Sequence, residues 1–514
     1  MNARAKKLIL LGLMALLIFG AGQVQKSLNV DRDQLGMTHM ATLDNAPPML
    51  AFTTVALGGF RGLISNFLWI RANDLQQDDK FFEAAQLANW ITDLEPHFSQ
   101  VWVFQGWNMS YNISVKFKDF PDRWRWVYNG ITLLRDKGLY YNPDDVLIYR
   151  ELAWDYQHKM GANLDDANIY YKTEWFKEMS PFFGPGGTNF AALLNPQTPE
   201  QKTNVVLLRV KYKIDPVFAE KVNEEWGPLD WRLPESHAIY WGAKGLDAAK
   251  RNPDKVKSDD LIMLRRIIYQ SMQQSFYHGR YIADPFDQGY SLGPNLDLVD
   301  KANESYVKEY DEEAQPNQKN GILKAHRNFL RDAVYFLYEN NRIGEASKWY
   351  RILSDKYPDQ PIMDGDPTSF PKTMTMDDYA VRRVQSELGD TSEERTTAVV
   401  QGLMINAYRE LALGSDDRYE GFQRLVQKIY IHYDAKTGIG GTNSSRVPLP
   451  KFNQLKQSVL RDVLDPQNGF PYAARAVLRT QLGMPAETNA VATVSTVGTS
   501  TNTDVTVPTN PAAR

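Results

Sequence analysis

The stretch KFFEAAQLANWITDLEPHFSQVWVFQGW, residues Lys80 to Trp107, decides the fold. Its first half has Ala84, Ala88 and Ile91 at positions i, i+4 and i+7, which places the three side chains on one face of a helix. Two of them are alanines, so a neighbouring helix can come close with almost no side chain to displace. This half therefore predicts a helix that packs tightly against another helix.

A turn and a second helix follow in the same stretch. The residue before a proline is pushed out of the α region, so the first helix is expected to end at Glu95, before Pro96. Six residues later Trp102 opens a new helix, and Gly106 provides its next point of close approach. The stretch is thus the second helix of one hairpin followed by the first helix of the next.

The same spacing of apolar residues, small residues and a final proline recurs along the chain. Counted back from Pro96, the register holds Leu68, Ala72, Leu75, Ala84, Ala88 and Ile91; counted back from Pro358, it holds Leu330, Val334, Leu337, Ala346, Tyr350 and Leu353. The second helix of the latter copy, GEASKWYRILSDKYPD, fits the pattern best. Pro143 and Pro181 end two further copies, with Trp102, Gly106 and Met109 and with Tyr149, Ala153 and Tyr156 in their first helices.

This pattern resembles the tetratricopeptide repeat, a helix-turn-helix unit of about 34 residues that stacks into a solenoid. Two copies depart from the family pattern: Pro96 to Pro143 is longer than one repeat by roughly a dozen residues, and Arg135 and Thr173 stand where an aromatic is usual. A further copy from Asp417, DRYEGFQRLVQKIY, matches less well. The resemblance covers about half the chain and implies an all-α, TPR-like α-solenoid of stacked helical hairpins.

Composition sets limits on function. The chain has 514 residues, of which 43% are apolar and 12% aromatic, so it can bury a large core. A net charge of -4 with interspersed basic residues gives no field that would collect nucleic acid. The absence of cysteine excludes disulfides and thiolate chemistry, and it is compatible with an oxidising compartment.

Residues 1–30 have the pattern of a signal anchor or a signal peptide. Arg4, Lys6 and Lys7 precede an apolar run that starts at Leu8, an arrangement that keeps the N-terminus in the cytoplasm. The run, taken as 8–24, is short for a spanning helix; Gly20 to Gly22 would also suit cleavage, and a buried core helix is a third alternative. Both membrane interpretations place the bulk of the chain outside the cytoplasm, which in a bacterium is the periplasm or cell envelope.

The rest of the chain divides by composition. We expect a linker at 31–48, an N-terminal TPR-like solenoid at 49–282, a loop-rich connection at 283–320, C-terminal helical repeats at 321–484 and a disordered tail at 485–514. The apolar stretch 49–70 is interpreted as the buried first helix of the solenoid, because Arg61 would be costly inside a membrane. The Thr, Val, Ser and Asn of the tail cannot bury enough surface to order it.

No catalytic, cofactor or metal site is assigned. The seven histidines form no HExxH or other close pair, and the clusters Gly184 to Gly187 and Gly438 to Gly441 lack the strand, helix and Lys-Ser/Thr of a phosphate loop. Acidic pairs are abundant, and a carboxylate pair in an α/α toroid could hydrolyse a glycan, so a carbohydrate-active enzyme is kept as an alternative. Spacing alone selects no pair.

The resemblance implies a concave groove lined by the first helix of each hairpin. Carried over by register, the groove positions are Asn66, Trp69 and Asn73; Val103, Trp107 and Tyr111; Leu147, Arg150, Trp154 and His158; and Asn328, Arg331 and Tyr335. Aromatic and Arg residues dominate the energy of protein interfaces, so we expect a non-catalytic scaffold or adaptor that binds a protein partner there. Two alternatives stay open: the rings are buried between helix layers, or the groove binds a glycan. The family's Lys and Asn clamp for a chaperone C-terminus is missing, so that partner is not expected.

Overall fold

A computed structural model gives the structure of this protein. It describes residues 60–283, Phe286, 290–386, 393–437 and 449–487, together with Gly12, Met14, Leu17, 20–24, Lys26 and Ser27. The expected linker 31–48 lies outside the described residues, as do nearly all of the expected tail and the cluster Gly438 to Gly441. The chain forms two compact units, residues 1–282 with 292–326 and residues 283–291 with 327–514.

The first unit is built from helices in regular succession. They are α1 (Phe60–Gln77), α2 (Phe81–Leu94), α3 (Ser99–Trp107), α4 (Phe120–Thr132), α5 (Leu139–Tyr141), α6 (Val146–Trp154), α7 (Asn168–Phe183), α8 (Phe190–Leu194), α9 (Pro199–Val210), α10 (Pro216–Trp226), α11 (Pro234–Arg251), α12 (Ser258–His278) and α13 (Val299–Glu312). Short 3-10 turns lie at Ser114–Lys116, Pro253–Lys255 and Leu296–Leu298. The next helix, α14 (Pro316–Glu339), contains the boundary between the units.

The second unit is helical as well. After α14 come α15 (Ile343–Lys356), α16 (Met376–Ser386), α17 (Glu393–Ala412), α18 (Asp416–Thr437), α19 (Phe452–Val463) and α20 (Tyr472–Gln481). Near the unit boundary the short strands β1 (Arg280–Ala283) and β2 (Tyr290–Gly293) pair with each other.

The prediction of an all-α protein is confirmed for the described residues, which are mostly helical. The segment 283–320 differs from the expected loop-rich connection, because α13 and the start of α14 lie within it. Its many acids and amides lie on amphipathic helices: α13 buries Val299, Ala302 and Tyr306 and leaves most of its other side chains at the surface. The polar composition therefore marks exposed helix faces.

The small residues of the opening stretch lie in the core. Ala84, Ala88 and Ile91 are fully buried, α1 packs against α2, and α2 packs against α3. In the second unit Ala346 is fully buried as well. Burial at these positions supports the register, in which alanines mark close helix contacts.

Helix α1 is only partly buried, unlike the fully buried first helix expected from the sequence. Ala72 and Leu75 point into the core, whereas Leu63, Phe67 and Ile70 are each more than 60% exposed. Since α1 is the first helix described after residue 59, no earlier described hairpin packs on its outer face.

One local expectation at a helix end is wrong. Helix α7 continues through Pro181 to Phe183, because a proline in the last turn removes only one hydrogen bond, and Gly184 at φ +68° ends the helix instead. The cap of α6 is Asp145, which accepts from the backbone N–H groups of residues 147 and 148, while the neighbouring Asp144 binds Arg251.

Three π-helical segments interrupt the first unit: π1 (Asn108–Ile113), π2 (Leu133–Gly138) and π3 (Asp155–Gly161). They directly follow α3, α4 and α6, so each of these three helical runs changes pitch toward its C-terminal end. A π segment widens the turn and rotates the side chains after it, and such segments occur frequently at functional sites. Hydrophobic spacing at the α period gives no sign of them.

Among the described residues no helix is both long and apolar enough to span a bilayer. Most of the predicted membrane segment 8–24 lies outside the described residues.

We predict that Ala84→Arg destabilises the first unit by several kcal/mol, about 3 or more, because it forces bulk and a charge into a sealed helix contact. Chemical unfolding followed by far-UV circular dichroism measures the effect. The control Gln86→Arg, at an exposed position of the same helix, should change stability by less than about 0.5 kcal/mol. Equal unfolding midpoints for the two variants would refute the register.

Candidate functional site

The groove positions of α1 lie around one tryptophan. Trp69 packs against the rings of Phe98 and Phe104, with centroids 5.9 and 5.0 Å away. Asn66 is exposed, and Asn73 is half-buried. The Trp69 ring thus serves mainly to join α1 to α3.

The groove positions of α14 belong to the second unit and are used within it. Arg331 is almost completely buried and donates to both carboxylate oxygens of Asp364, at 3.2 and 3.1 Å, and to Asn328 at 3.2 Å. Tyr335 lies beside Phe336, with ring centroids 6.0 Å apart. The guanidinium of Arg331 is therefore committed to an internal ion pair.

Arg150 on α6 is also paired. Its Nη1 donates to Asp260 at 2.5 Å, and both residues line a cavity of about 670 Å³ that Leu147 also lines. Val103 on α3 is half-buried against the main core of the first unit. Leu147 and Arg150 therefore form part of the wall of this cavity, and Val103 packs against the core.

The remaining four groove residues come together. The rings of Trp107 and Tyr111 stack at 6.0 Å, Tyr111 and His158 follow at 5.8 Å, and His158 stacks on Trp154 at 4.4 Å with an interplanar angle of 11°. The hydroxyl of Tyr111 lies 3.1 Å from Nδ1 of His158. We refer to these four side chains as the aromatic strip. Trp107 is 36% exposed and the other three are half-buried, so the strip faces solvent along one edge.

Two carboxyl groups lie buried next to the strip. Glu151 and Asp155 are one helical turn apart where α6 passes into π3, and Asp155 is fully buried. Ser110 Oγ donates to Asp155 Oδ2 at 3.1 Å. Oε1 of Glu151 and Oδ1 of Asp155 have no hydrogen-bond partner among the described residues. Buried acceptors without a donor are rare and costly.

A charged group lies on the same side of the strip. Lys159 Nζ is 5.0 Å from the centre of the Tyr111 ring and donates to Asp165 at 2.6 Å. Asp165 also pairs with Arg123 at 3.2 Å. The ammonium group of Lys159 is thus bonded to Asp165, and its charge also acts on the nearby carboxyl of Asp155.

Burial and these neighbours shift the pKa values of the site. Desolvation raises the pKa of Glu151 to about 7, and desolvation with the nearby Glu151 raises that of Asp155 well above its ordinary value. Burial, together with the charges of Asp155 and Glu151, raises the pKa of Tyr111. Burial and Lys159 lower the pKa of His158, so its ring is neutral at pH 7. The strip therefore presents uncharged rings.

Close helix contacts hold the strip and the acids together. A Cβ on Gly130 of α4 would lie 2.5 Å from Ser110 Oγ and 2.9 Å from the Gly106 carbonyl oxygen, so only glycine allows this approach. Ser110 lies in π1 and Asp155 in π3, so the widened turns of both segments meet at this contact.

The four residues of the strip are among the groove positions assigned from the sequence, whereas the two acids are not. Glu151, Asp155, Ser110 and Lys159 were missed because neighbouring positions of the register were assigned to packing. A signal was present: ELAWDYQHK, residues 151–159, places two acids in a helix that is otherwise rich in aromatic and apolar side chains. No group of three His, Asp or Glu in the described part of the chain is arranged to hold a metal ion.

Comparisons with protein-family models, curated proteins and solved structures found no match to this chain. The resemblance to tetratricopeptide repeats consequently depends only on the spacing of apolar residues, small residues and prolines in the sequence. Any functional interpretation depends on the geometry described above.

We predict that Glu151→Gln flattens the pH dependence of stability. A carboxyl whose pKa rises on folding makes the folded state bind more protons, so its contribution to stability falls as pH rises from about 4.5 to about 7. The variant should gain on the order of 2 to 3 kcal/mol relative to the wild type at pH 8, and little at pH 4.

Urea unfolding across this pH range measures the difference between the two proteins. The variant is compared with the wild type at each pH because other groups also change stability with pH. Burial lowers the pKa of His237 to about 3, so this residue makes the stability of both proteins rise with pH at low pH. Glu83→Gln, at an exposed position, is the control and should follow the wild type. A constant offset between Glu151→Gln and wild type at all pH values would contradict the assignment.

Proposed function

We propose that this chain is a non-catalytic, TPR-like scaffold that binds a protein partner through the aromatic strip. Its place would be the cell envelope, with residues 8–24 as membrane anchor and the bulk of the chain outside the cytoplasm. The single observation that carries the binding proposal is the contact series Trp107, Tyr111, His158 and Trp154, which joins side chains of α3 and π1 with those of α6 and π3 into one partly exposed surface.

The chemistry of the strip suits a protein segment. Aromatic residues supply large, rigid contact areas, and residues of this type carry most of the energy in protein interfaces. The strip is already ordered by ring stacking, by the Tyr111 contact to His158 and by the nearby Lys159. A surface held in place before binding loses little conformational entropy when a partner docks.

The neutral rings favour an apolar or aromatic partner side chain. A cation from the partner would meet Lys159 at Tyr111, and the ammonium already occupies that ring face. An anion would lie near the buried Glu151 and Asp155. We therefore expect the docking segment to present uncharged side chains to the strip.

The enzyme alternative receives less support. Glu151 and Asp155 are the buried acid pair closest in kind to a catalytic pair, but neither lines the cavity beside Arg150. Both carboxyls are more than nine-tenths buried, so a substrate would have no direct access to them. Hydrolysis of a glycan needs both carboxyls beside the bond that is cleaved.

We predict that Trp107→Ala and Trp154→Ala each weaken partner binding by about 30-fold, since an interface hot spot contributes about 2 kcal/mol or more. A photo-reactive residue at position 107 of the full chain would first capture the partner in the producing cells. Binding of that purified partner to the variants is then measured by interferometry.

Trp90→Ala is the matched control, because Trp90 is 50% exposed and lies outside the strip. Its affinity should equal that of the wild type. The proposal fails if position 107 yields no cross-linked protein, or if all three tryptophan variants bind the captured protein equally well.

A further inference from the structure

A second cavity in the first unit, of about 520 Å³, has five carboxamide side chains among its eleven lining residues. Gln157 from π3, Asn163, and Gln270, Gln273 and Gln274 from α12 supply them. We refer to this cavity as the carboxamide pocket. Its volume lies within the range of about 300 to 1,000 Å³ that is usual for small-ligand sites.

One face of α12 forms a wall of the pocket. Gln270, Gln273, Gln274, Tyr277 and His278 all line it, at positions i, i+3, i+4, i+7 and i+8. This is the spacing of one helix face. The opposite positions of α12, among them Leu264, Ile268 and Met272, are buried in the core, where α12 packs against α11 and α13.

The pocket carries no fixed charge. No Asp, Glu, Lys or Arg belongs to the described residues that line it. His278 contributes the only imidazole among the described residues that line the pocket. Burial and the nearby Lys172 lower its pKa, so this ring is neutral at pH 7. Two charged neighbours, Lys172 and Glu309, already bond to Asn163 and Gln273 of the wall, at 2.9 and 3.1 Å. A charged ligand would therefore lose its hydration without gaining an unengaged opposite charge, which disfavours both anions and cations.

The carboxamides retain unused hydrogen-bonding capacity. Gln157 Nε2 donates to Gln270 Oε1 at 2.9 Å, and Gln273 Nε2 donates to Glu309 at 3.1 Å. The side-chain oxygens of Gln157 and Gln274 have no donor among the described residues. The Gln157 side chain is almost completely buried, since the residue is only 3% exposed. These acceptors would be satisfied by a ligand that supplies donors.

Gly161, the last residue of π3, keeps the pocket open. A Cβ at this position would lie 3.3 Å from Gln274 Oε1 and 3.4 Å from Glu235 Oε1. Any side chain would press on the amide of Gln274. Because Gly161 has no side chain, the amide of Gln274 can lie close to the backbone of residue 161.

We propose that the carboxamide pocket binds an uncharged, hydroxyl-rich ligand, namely one or two sugar units of a glycan. Each sugar hydroxyl can donate and accept, so adjacent hydroxyls match the oxygen and nitrogen of one carboxamide. The partly exposed ring of Tyr277 at the wall offers aromatic surface to the apolar C–H face of a sugar ring. The site is separate from the aromatic strip, so this proposal is independent of partner binding there.

Saturation-transfer NMR of the full chain tests the proposal. The probes are glucose, N-acetylglucosamine, maltose and cellobiose, with glucuronate and glucosamine as charged analogues and an uncharged Gly-Ser peptide as the competing ligand class. Because residues 8–24 are a predicted membrane segment, the chain is kept in a detergent without a sugar headgroup. At least one neutral saccharide should bind in preference to its charged analogue and to the peptide.

Two variants address the pocket in different ways. Gln270→Leu/Gln274→Leu removes the amides at nearly constant volume, and should weaken saccharide binding about tenfold or more, since two lost hydrogen bonds contribute about 1.4 kcal/mol or more. Ala162→Trp leaves every amide in place and fills the pocket, and should abolish binding. Gln86→Leu, at an exposed position of α2, is the control and should bind as the wild type does.

Far-UV circular dichroism establishes that each variant is folded before its binding is compared. The proposal is overturned if no neutral saccharide binds the wild type at millimolar concentration, if the peptide binds and the saccharides do not, or if folded forms of both pocket variants retain full affinity.

Discussion

Contact between helices at positions without a sizeable side chain is the constraint on which the first unit depends. Ala84 and Ala88 are fully buried between α2 and its neighbours, and Gly106 would place a Cβ 2.8 Å from the Leu134 side chain. Helices this close leave no room for water between them. Polar side chains caught at such contacts must therefore bond to one another or stay unsatisfied, and both outcomes occur around Ser110 and Asp155.

The sequence predicts the all-helical class well, because hydrophobic spacing reports directly on which helix faces are buried. It predicts the rings of the aromatic strip for the same reason: Trp107, Tyr111, Trp154 and His158 lie beside packing positions in the register. It does not predict the π segments. A widened turn changes the direction of Asp155 and Ser110 without changing the apolar pattern that precedes it, and the tertiary contact at Gly130 is formed by residues that are distant in sequence. Arg331 shows the same limit, since its partner Asp364 lies 33 residues away.

The two buried acids are difficult to explain as elements of stability. An apolar pair of similar volume would avoid the desolvation that raises the pKa of Glu151 to about 7. Sequences generally agree with their folds at every level, and local conflicts concentrate at functional or strained sites. Glu151 and Asp155 are such a conflict, and they lie next to the only series of groove aromatics in the described residues that forms a continuous surface.

One continuous helical run, α6 with π3, connects these features. Its Trp154 and His158 belong to the aromatic strip, its Glu151 and Asp155 are the buried acids, and its Gln157 and Gly161 line the carboxamide pocket. An α-helix repeats every 3.6 residues, so a run of this length ordinarily presents one consistent polar face. Successive residues of an α-helix point in directions about 100° apart, so Gln157 and His158 reach two different sites while the apolar positions Tyr156 and Met160 remain in the core. A helix that is packed on several sides thus presents two different surfaces through neighbouring residues, one to the aromatic strip and one to the carboxamide pocket.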